Sequence, residues 1–101
     1  MTTAEVLQKA RDLIADESRW THGYFARDEH GFEVEAIEPS ACKWCAIGAV
    51  YRVLDFDDDG GMAPMPEAAY ALPRNIVDIN DRGDHAAVLA AFDKAIAAEA
   101  A

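Results

Sequence analysis

The chain has 101 residues, of which 51% are apolar, enough to bury one hydrophobic core but not two. Nineteen Asp and Glu oppose nine Lys and Arg for a formal net charge of −10, which disfavours nucleic acid or an anionic membrane as a partner, since both are themselves negative. No apolar run approaches the roughly eighteen residues of a membrane span, and the opening MTTAEVLQKARDL lacks a basic stretch followed by an apolar one, so a cytoplasmic protein is expected.

The first expected element is a helix. Thr2 and Glu5 have the S/T-x-x-E spacing of a capping box, in which each satisfies a free N–H at the helix start. Val6, Leu7, Ala10, Leu13 and Ile14 then recur on one face of a 3.6-residue period. Asp16-Glu17-Ser18 interrupts the pattern, and Ser18 is a candidate cap for a short turn carrying Trp20.

From Tyr24 to Ala36 the period becomes two. Phe32, Val34 and Ala36 alternate with Glu33 and Glu35, and Asp28-Glu29-His30-Gly31 supplies turn chemistry, so a β-hairpin is expected. A second helix is expected from Ala41 to Leu54, apolar around most of its circumference and therefore central. Gly48 in its middle costs about 1 kcal/mol against alanine, which points to a close backbone contact there. After the Asp-rich stretch Asp55–Pro66, a short helix is expected at Glu67–Leu72, a strand at Asn75–Ile79 and a turn at Asn80-Asp81-Arg82-Gly83. Asp84 is a good N-cap for a final helix with Val88, Leu89, Phe92, Ala95 and Ile96 on its apolar stripe. The sum is one domain over residues 1–101, α+β and predominantly helical, with amphipathic terminal helices, a central apolar helix and a small hairpin.

Charge is concentrated in the middle of this chain. Ten acids between Asp28 and Glu67 are opposed only by Lys43 and Arg52, leaving a local net charge of −8. Such a block suits a basic protein partner, and otherwise serves as a solvated face that aids solubility. The expected function is therefore a small accessory or interaction protein, with no cofactor.

Three other constellations carry chemistry. Cys42-Lys43-Trp44-Cys45 is a C-x-x-C, which in redox proteins opens a helix whose dipole stabilises the first thiolate. It could also give two zinc ligands if His22, His30 or His85 completed the set, although no second C-x-x-C is present. A thiol-enzyme alternative takes Cys45 as nucleophile, His85 as base and Asn80 or Asp81 to orient the imidazole; the plain reading makes Cys45 a small buried hydrophobe. Asp55-Phe56-Asp57-Asp58-Asp59-Gly60 matches the first half of a calcium loop, making Asp55, Asp57 and Asp59 candidate ligands. The twelfth position, where a bidentate glutamate belongs, is Pro66. Arg82-Gly83-Asp84 spells an adhesion tripeptide but reads as a turn followed by a cap, and nucleotide, serine-hydrolase and zincin motifs are absent.

Trp20-Thr21-His22-Gly23, Phe25-Ala26-Arg27-Asp28, Trp44-Cys45-Ala46-Ile47-Gly48-Ala49, Asn80-Asp81, His85 and Phe92-Asp93-Lys94-Ala95-Ile96, in that order, resemble one family nearly end to end. It is a family of small bacterial and phage proteins classed as a domain of unknown function. The resemblance implies a shared fold, with Trp20, Trp44, Cys45, Gly48, Asn80, Asp81 and His85 as signature positions; it implies no activity. Ile79 departs from the pattern, where an aromatic residue is common, and Cys42 and the Asp-rich loop lie outside it. Asn80 and Asp81 are then expected either to cap the last helix and tie its preceding turn to backbone groups, or to line one pocket with Cys45. The alanines of the last helix leave a monomer or a homodimer open.

Overall fold

The computed structural model describes residues 1–100. Helix α1 (Thr3–Leu13) begins at the expected capping box, with the Glu5 amide donating to Thr2 Oγ1 and the Thr2 amide to Glu5 Oε1, both at 3.1 Å. Val6, Leu7, Ala10 and Ile14 are buried. The short 3₁₀ turn Glu17–Arg19 is capped by Asp16, whose Oδ1 accepts from the Ser18 amide at 2.9 Å, so the capping role falls to Asp16 and not to Ser18.

The hairpin forms from β1 (Ala26–Arg27) and β2 (Glu33–Val34). Asp28 Oδ1 accepts the amides of His30 and Phe32, and Gly31 takes a φ of 85°, so the turn chemistry works as expected. A third strand, β3 (Lys43–Trp44), pairs antiparallel with the other edge of β1, giving the order β2-β1-β3. The expected alternation holds only in part: Ala36 is buried and Val34 half-buried, while Phe32 is 69% exposed. Two-residue strands end before Phe32 gains a layer beneath it.

Helix α2 is therefore shorter than expected, Ala46–Leu54 rather than 41–54. The Cys42 amide donates to the Arg27 carbonyl and the Cys45 amide to the Phe25 carbonyl, which holds residues 42–45 extended along β1. Lys43 is exposed and Trp44 buried, the period of a strand, which the apolar content of this stretch conceals. The expected close contact at Gly48 is present: a Cβ there would lie 1.9 Å from the Phe25 carbonyl oxygen.

Helix α3 (Glu67–Tyr70) follows Pro66, with Ala68, Ala69 and Leu72 buried beside it. The segment expected to be a strand is instead helix α4 (Ile76–Asp81), and Asn80-Asp81 form its last turn. The β-branched run Ile-Val-Asp-Ile favours strand by propensity, but the buried residues are Ile76 and Asn80, spaced i and i+4. Packing of that helical face decides the outcome.

Helix α5 (His85–Ala100) opens with Asp84 Oδ1 accepting the Ala87 amide at 3.0 Å. Val88, Phe92 and Ala95 face the core, whereas Ala86, Ala90, Ala97 and Ala98 face solvent. Helix α1 packs against both α2 and α5, and Arg11 joins Asp93 of α5 through its Nε. A single cluster of buried side chains runs from Val6 to Ala95 through all five helices and the sheet. Among the described residues no helix is long and apolar enough to cross a membrane.

Gly48→Ala tests the tightest crossing in this fold. The methyl gains about 1 kcal/mol of helix propensity, yet it must displace the Phe25 backbone, and overpacking costs about 1–3 kcal/mol or more. A net loss of about 2 kcal/mol is expected, read as a fall in Tm of about 10 °C. An unchanged Tm would show that the crossing is loose.

Candidate functional site

Several of the residues singled out in the sequence meet around one buried amide. Asn80, 2% exposed on α4, accepts at Oδ1 from Trp20 Nε1 (2.9 Å) and from the Ala46 amide at the start of α2 (3.0 Å). Its Nδ2 donates to the Thr21 carbonyl at 3.0 Å. Asp81 adds a fourth tie, accepting the Gly23 amide at 3.1 Å. These two residues thus bind the loop 20–23 to α4 and the start of α2, while the cap of the last helix belongs to Asp84.

Cys45 sits at the N-cap of α2, its Sγ accepting the Gly48 amide at 3.2 Å. Burial pushes its thiol up to about 11, and the nearby Asp81 charge adds to this, outweighing the amides of Gly48 and Ile47 that favour the thiolate. The thiol is therefore neutral at pH 7. Cys45, Asn80 and Asp81 share the wall of a cavity of about 200 Å³, but His85 is not part of that wall. The His85 ring lies 5.3 Å from Trp20, with Nε2 placed 2.7 Å from the Ile14 carbonyl. The structure thus gathers three of the four candidate catalytic residues and leaves the candidate base on another contact.

The C-x-x-C also differs from expectation, because the helix begins after Cys45 and Cys42 lies on extended chain paired to β1. Both thiols are free. In the Asp-rich loop, Asp55 is the left-handed C-cap of α2 with φ 51°, and Asp57 Oδ1 accepts the Asp59 amide at 2.9 Å. Among the described residues no three His, Cys, Asp or Glu side chains converge as metal ligands, which leaves Asp55, Asp57 and Asp59 without an assembled calcium site and the zinc alternative without its ligand set.

What the acidic segment does build is a groove of about 530 Å³. Glu33, Glu35 and Glu38 line it from the β2 side, and Asp57 and Asp58 from the loop after α2. Three aromatic residues, Phe25, Tyr51 and Phe56, also line it, with ring centroids 5.1 Å apart for Phe25–Tyr51 and 4.9 Å for Tyr51–Phe56. None of the five carboxylates has a cation within salt-bridge distance among the described residues; the ion pairs are Arg11–Asp93, His30–Glu29 and Arg82–Asp78. Arg52, one of the two bases of this segment, instead donates to the carbonyls of Ala36 and Glu38 and lies over the Trp44 ring.

Like charge leaves its mark on the groove. Asp57 holds the Glu35 carboxyl above its ordinary value, with desolvation, Glu38 and Asp58 acting in the same direction. Burial raises the Tyr51 phenol, and Asp58 raises it further. The acids were legible in the sequence as a charge block, whereas Phe25, Tyr51 and Phe56 lie on three separate elements and share no spacing that would join them. Glu33 and Glu35, two apart in the alternating stretch of sequence, are the nearest thing to a local signal.

These features define a small, predominantly helical α+β domain, braced by an internal polar hub and carrying a carboxylate-lined groove. The chain belongs to a family of unknown function (DUF6197), which matches residues 1–98. No curated protein and no solved structure matches it.

Two measurements test the site as described. Asn80→Ala leaves the Trp20 and Ala46 donors and the Thr21 acceptor without a partner in the core. An unsatisfied buried group costs about 1–3 kcal/mol, so a loss of about 3–5 kcal/mol is expected in denaturant unfolding; a loss below about 1 kcal/mol would mean that the hub does not brace the fold. For the groove, a carboxyl whose folded pKa is raised binds its proton more tightly when folded. Its contribution to stability is present below the ordinary glutamate value and lost as pH rises through the raised one. Glu35→Gln is therefore expected to raise Tm at pH 7, with the gain vanishing toward pH 4. A gain independent of pH would place its cause outside the groove's charge.

Proposed function

We propose that this protein is a non-catalytic binding module that receives a basic segment of a partner protein in the carboxylate-lined groove. The observation that carries the reading is the set of five carboxylates without cationic partners around three neighbouring aromatic residues. A Lys or Arg side chain entering there relieves the repulsion that Asp57, Glu38 and Asp58 exert on Glu35. It also brings a cation beside aromatic faces, a contact that contributes about 0.5–2 kcal/mol according to its desolvation. The same field steers a basic partner during encounter, and salt weakens both effects. We place the encounter in the cytoplasm, where Cys42 and Cys45 stay reduced.

The test is calorimetric titration of the whole protein with an oligo-lysine hexapeptide against an oligo-alanine control. Each exposed ion pair contributes about 0.2–1 kcal/mol, so Asp57→Asn/Asp58→Asn is expected to weaken lysine binding about two- to thirtyfold. Affinity should also fall steeply between 0.1 and 1 M salt, as the screening length shrinks from about 10 Å to about 3 Å. Binding that survives 1 M salt, or that ignores the double substitution, would overturn the reading.

A further inference from the structure

The acidic groove holds a neutral hydrogen-bonding group as well as charged ones. Of the buried side chains that carry nitrogen or oxygen, Trp20 and Asn80 bond one another, Thr21 Oγ1 accepts from Arg27, and Trp44 Nε1 donates to the Ala36 carbonyl. Tyr51 is the exception. It is 4% exposed, yet among the described residues its phenol oxygen takes part in no hydrogen bond. No fully buried oxygen is left unpaired, so this one opens to solvent. The hollow that Tyr51 lines is the acidic groove, and the Asp58 carboxylate of the same groove acts on its hydroxyl.

The phenol narrows what can enter. Phe25 and Phe56 pack against the Tyr51 ring, so the hydroxyl is presented by a packed stack. An apolar group covering it would orphan the oxygen, and the carboxylates repel an anion, so the occupant brings cationic N–H donors. Acceptors reach the hollow from three directions: Glu33, Glu35 and Glu38 from the β2 side, Asp57 and Asp58 from the loop, and Tyr51 from α2. An ammonium offers three donors from one strongly hydrated nitrogen. A guanidinium spreads five over a plane, is more weakly hydrated and stacks on aromatic rings. The chain's own arginines show this mode. Arg27 lies 4.5 Å over the Tyr24 ring while donating to Thr21 Oγ1 and the Gly31 and His22 carbonyls. Arg52 lies 5.3 Å over the Trp44 ring while donating to the Ala36 and Glu38 carbonyls.

Resting on the function proposed above, we infer that the partner's side chain in the groove is an arginine, selected over lysine by the Tyr51 phenol. One edge of the guanidinium pairs with a carboxylate, a further N–H donates to the phenol oxygen, and the plane lies against an aromatic ring. A lysine ammonium in the same place answers the charge but not all three contacts at once.

The experiment titrates the whole protein calorimetrically with the acetylated, amidated hexapeptide Ala-Arg-Ala-Arg-Ala-Ala and with its lysine and citrulline counterparts. Lysine keeps the charge, and citrulline keeps the planar shape without it. The arginine peptide is expected to bind about tenfold tighter than the lysine peptide, the gain of about one charge-assisted hydrogen bond, and the citrulline peptide to bind weakest. Tyr51→Phe removes the hydroxyl and keeps the ring stack. It should weaken the arginine peptide more than the lysine peptide, cutting the preference to about twofold. In the wild-type protein labelled at tyrosine Cζ, the Tyr51 NMR signal should shift more with arginine than with lysine, which reads the contact even if Tyr51→Phe fails to fold. Equal affinities for arginine and lysine, both weakened by Asp57→Asn/Asp58→Asn, overturn the arginine inference and leave the acidic reading standing. So does an arginine preference that persists in Tyr51→Phe, or a Tyr51 signal that stays still on arginine binding. Binding that ignores the double substitution, citrulline binding as tightly as arginine, or no binding by any peptide overturns both readings.

Discussion

Asn80 is the constraint on which the other placements depend. One amide side chain, buried on α4, joins the Trp20 indole, the Thr21 carbonyl and the first turn of α2. Three chain segments far apart in sequence are thereby fixed to within a hydrogen bond of one another. A network of this kind is favourable only when complete, because each unsatisfied member would carry its own desolvation cost in the core. Each member is engaged: among the described residues no buried side-chain nitrogen or oxygen is without at least one partner. With the start of α2 held there, Gly48 meets the Phe25 carbonyl, just ahead of β1. That contact in turn sets Phe25 against Tyr51, and so places two of the three aromatic residues of the groove.

The elements legible in the sequence are those whose cause is local. A capping box and a 3.6-residue stripe sufficed for α1, an Asp cap and a stripe for α5, and an Asx turn with glycine for the hairpin. The elements that differ depend on distant partners. Lys43–Trp44 becomes a strand because β1 offers it a free edge, and Ile76–Asp81 becomes a helix because Asn80 must reach α2 from the face that Ile76 buries. Neither fact is written within a few residues of the segment it governs. The same holds for the site. The excess of acids was plain, but only the fold turns the β2 side and the loop after α2 toward a shared hollow, and only the fold gathers Phe25, Tyr51 and Phe56 around it.

The recurrent polar residues and the groove play different parts. Cys45, Asn80 and Asp81 look like chemistry when read as letters, because thiol, amide and carboxylate are the parts of a thiol hydrolase. In the fold each makes a structural contact: a thiol caps a helix, an amide links three segments, and a carboxylate anchors a loop amide. A neutral buried thiol whose hydrogen-bond partner is a backbone amide is poorly suited to attack a substrate. The groove shows the opposite balance. Asp57, Glu38 and Asp58 raise the Glu35 carboxyl with no cation within salt-bridge distance among the described residues, a local conflict that a sequence selected only for stability would remove.

That conflict ties stability to binding through one physical cause. Added salt screens the repulsion between Glu35 and Asp57, and so favours the folded protein with its groove empty. The same screening would weaken the attraction between the groove and the basic segment of the proposed function. Salt therefore acts with opposite sign on the two processes, whereas a hydrophobic site would respond to it in the same direction in both. A bound cation does locally what salt does diffusely, and stabilises the fold with the logarithm of its concentration once that exceeds its Kd. The carboxylates thus lower the stability of the empty protein, and in the proposed function they raise its affinity for a basic segment, while the brace around Asn80 keeps the rest of the fold intact.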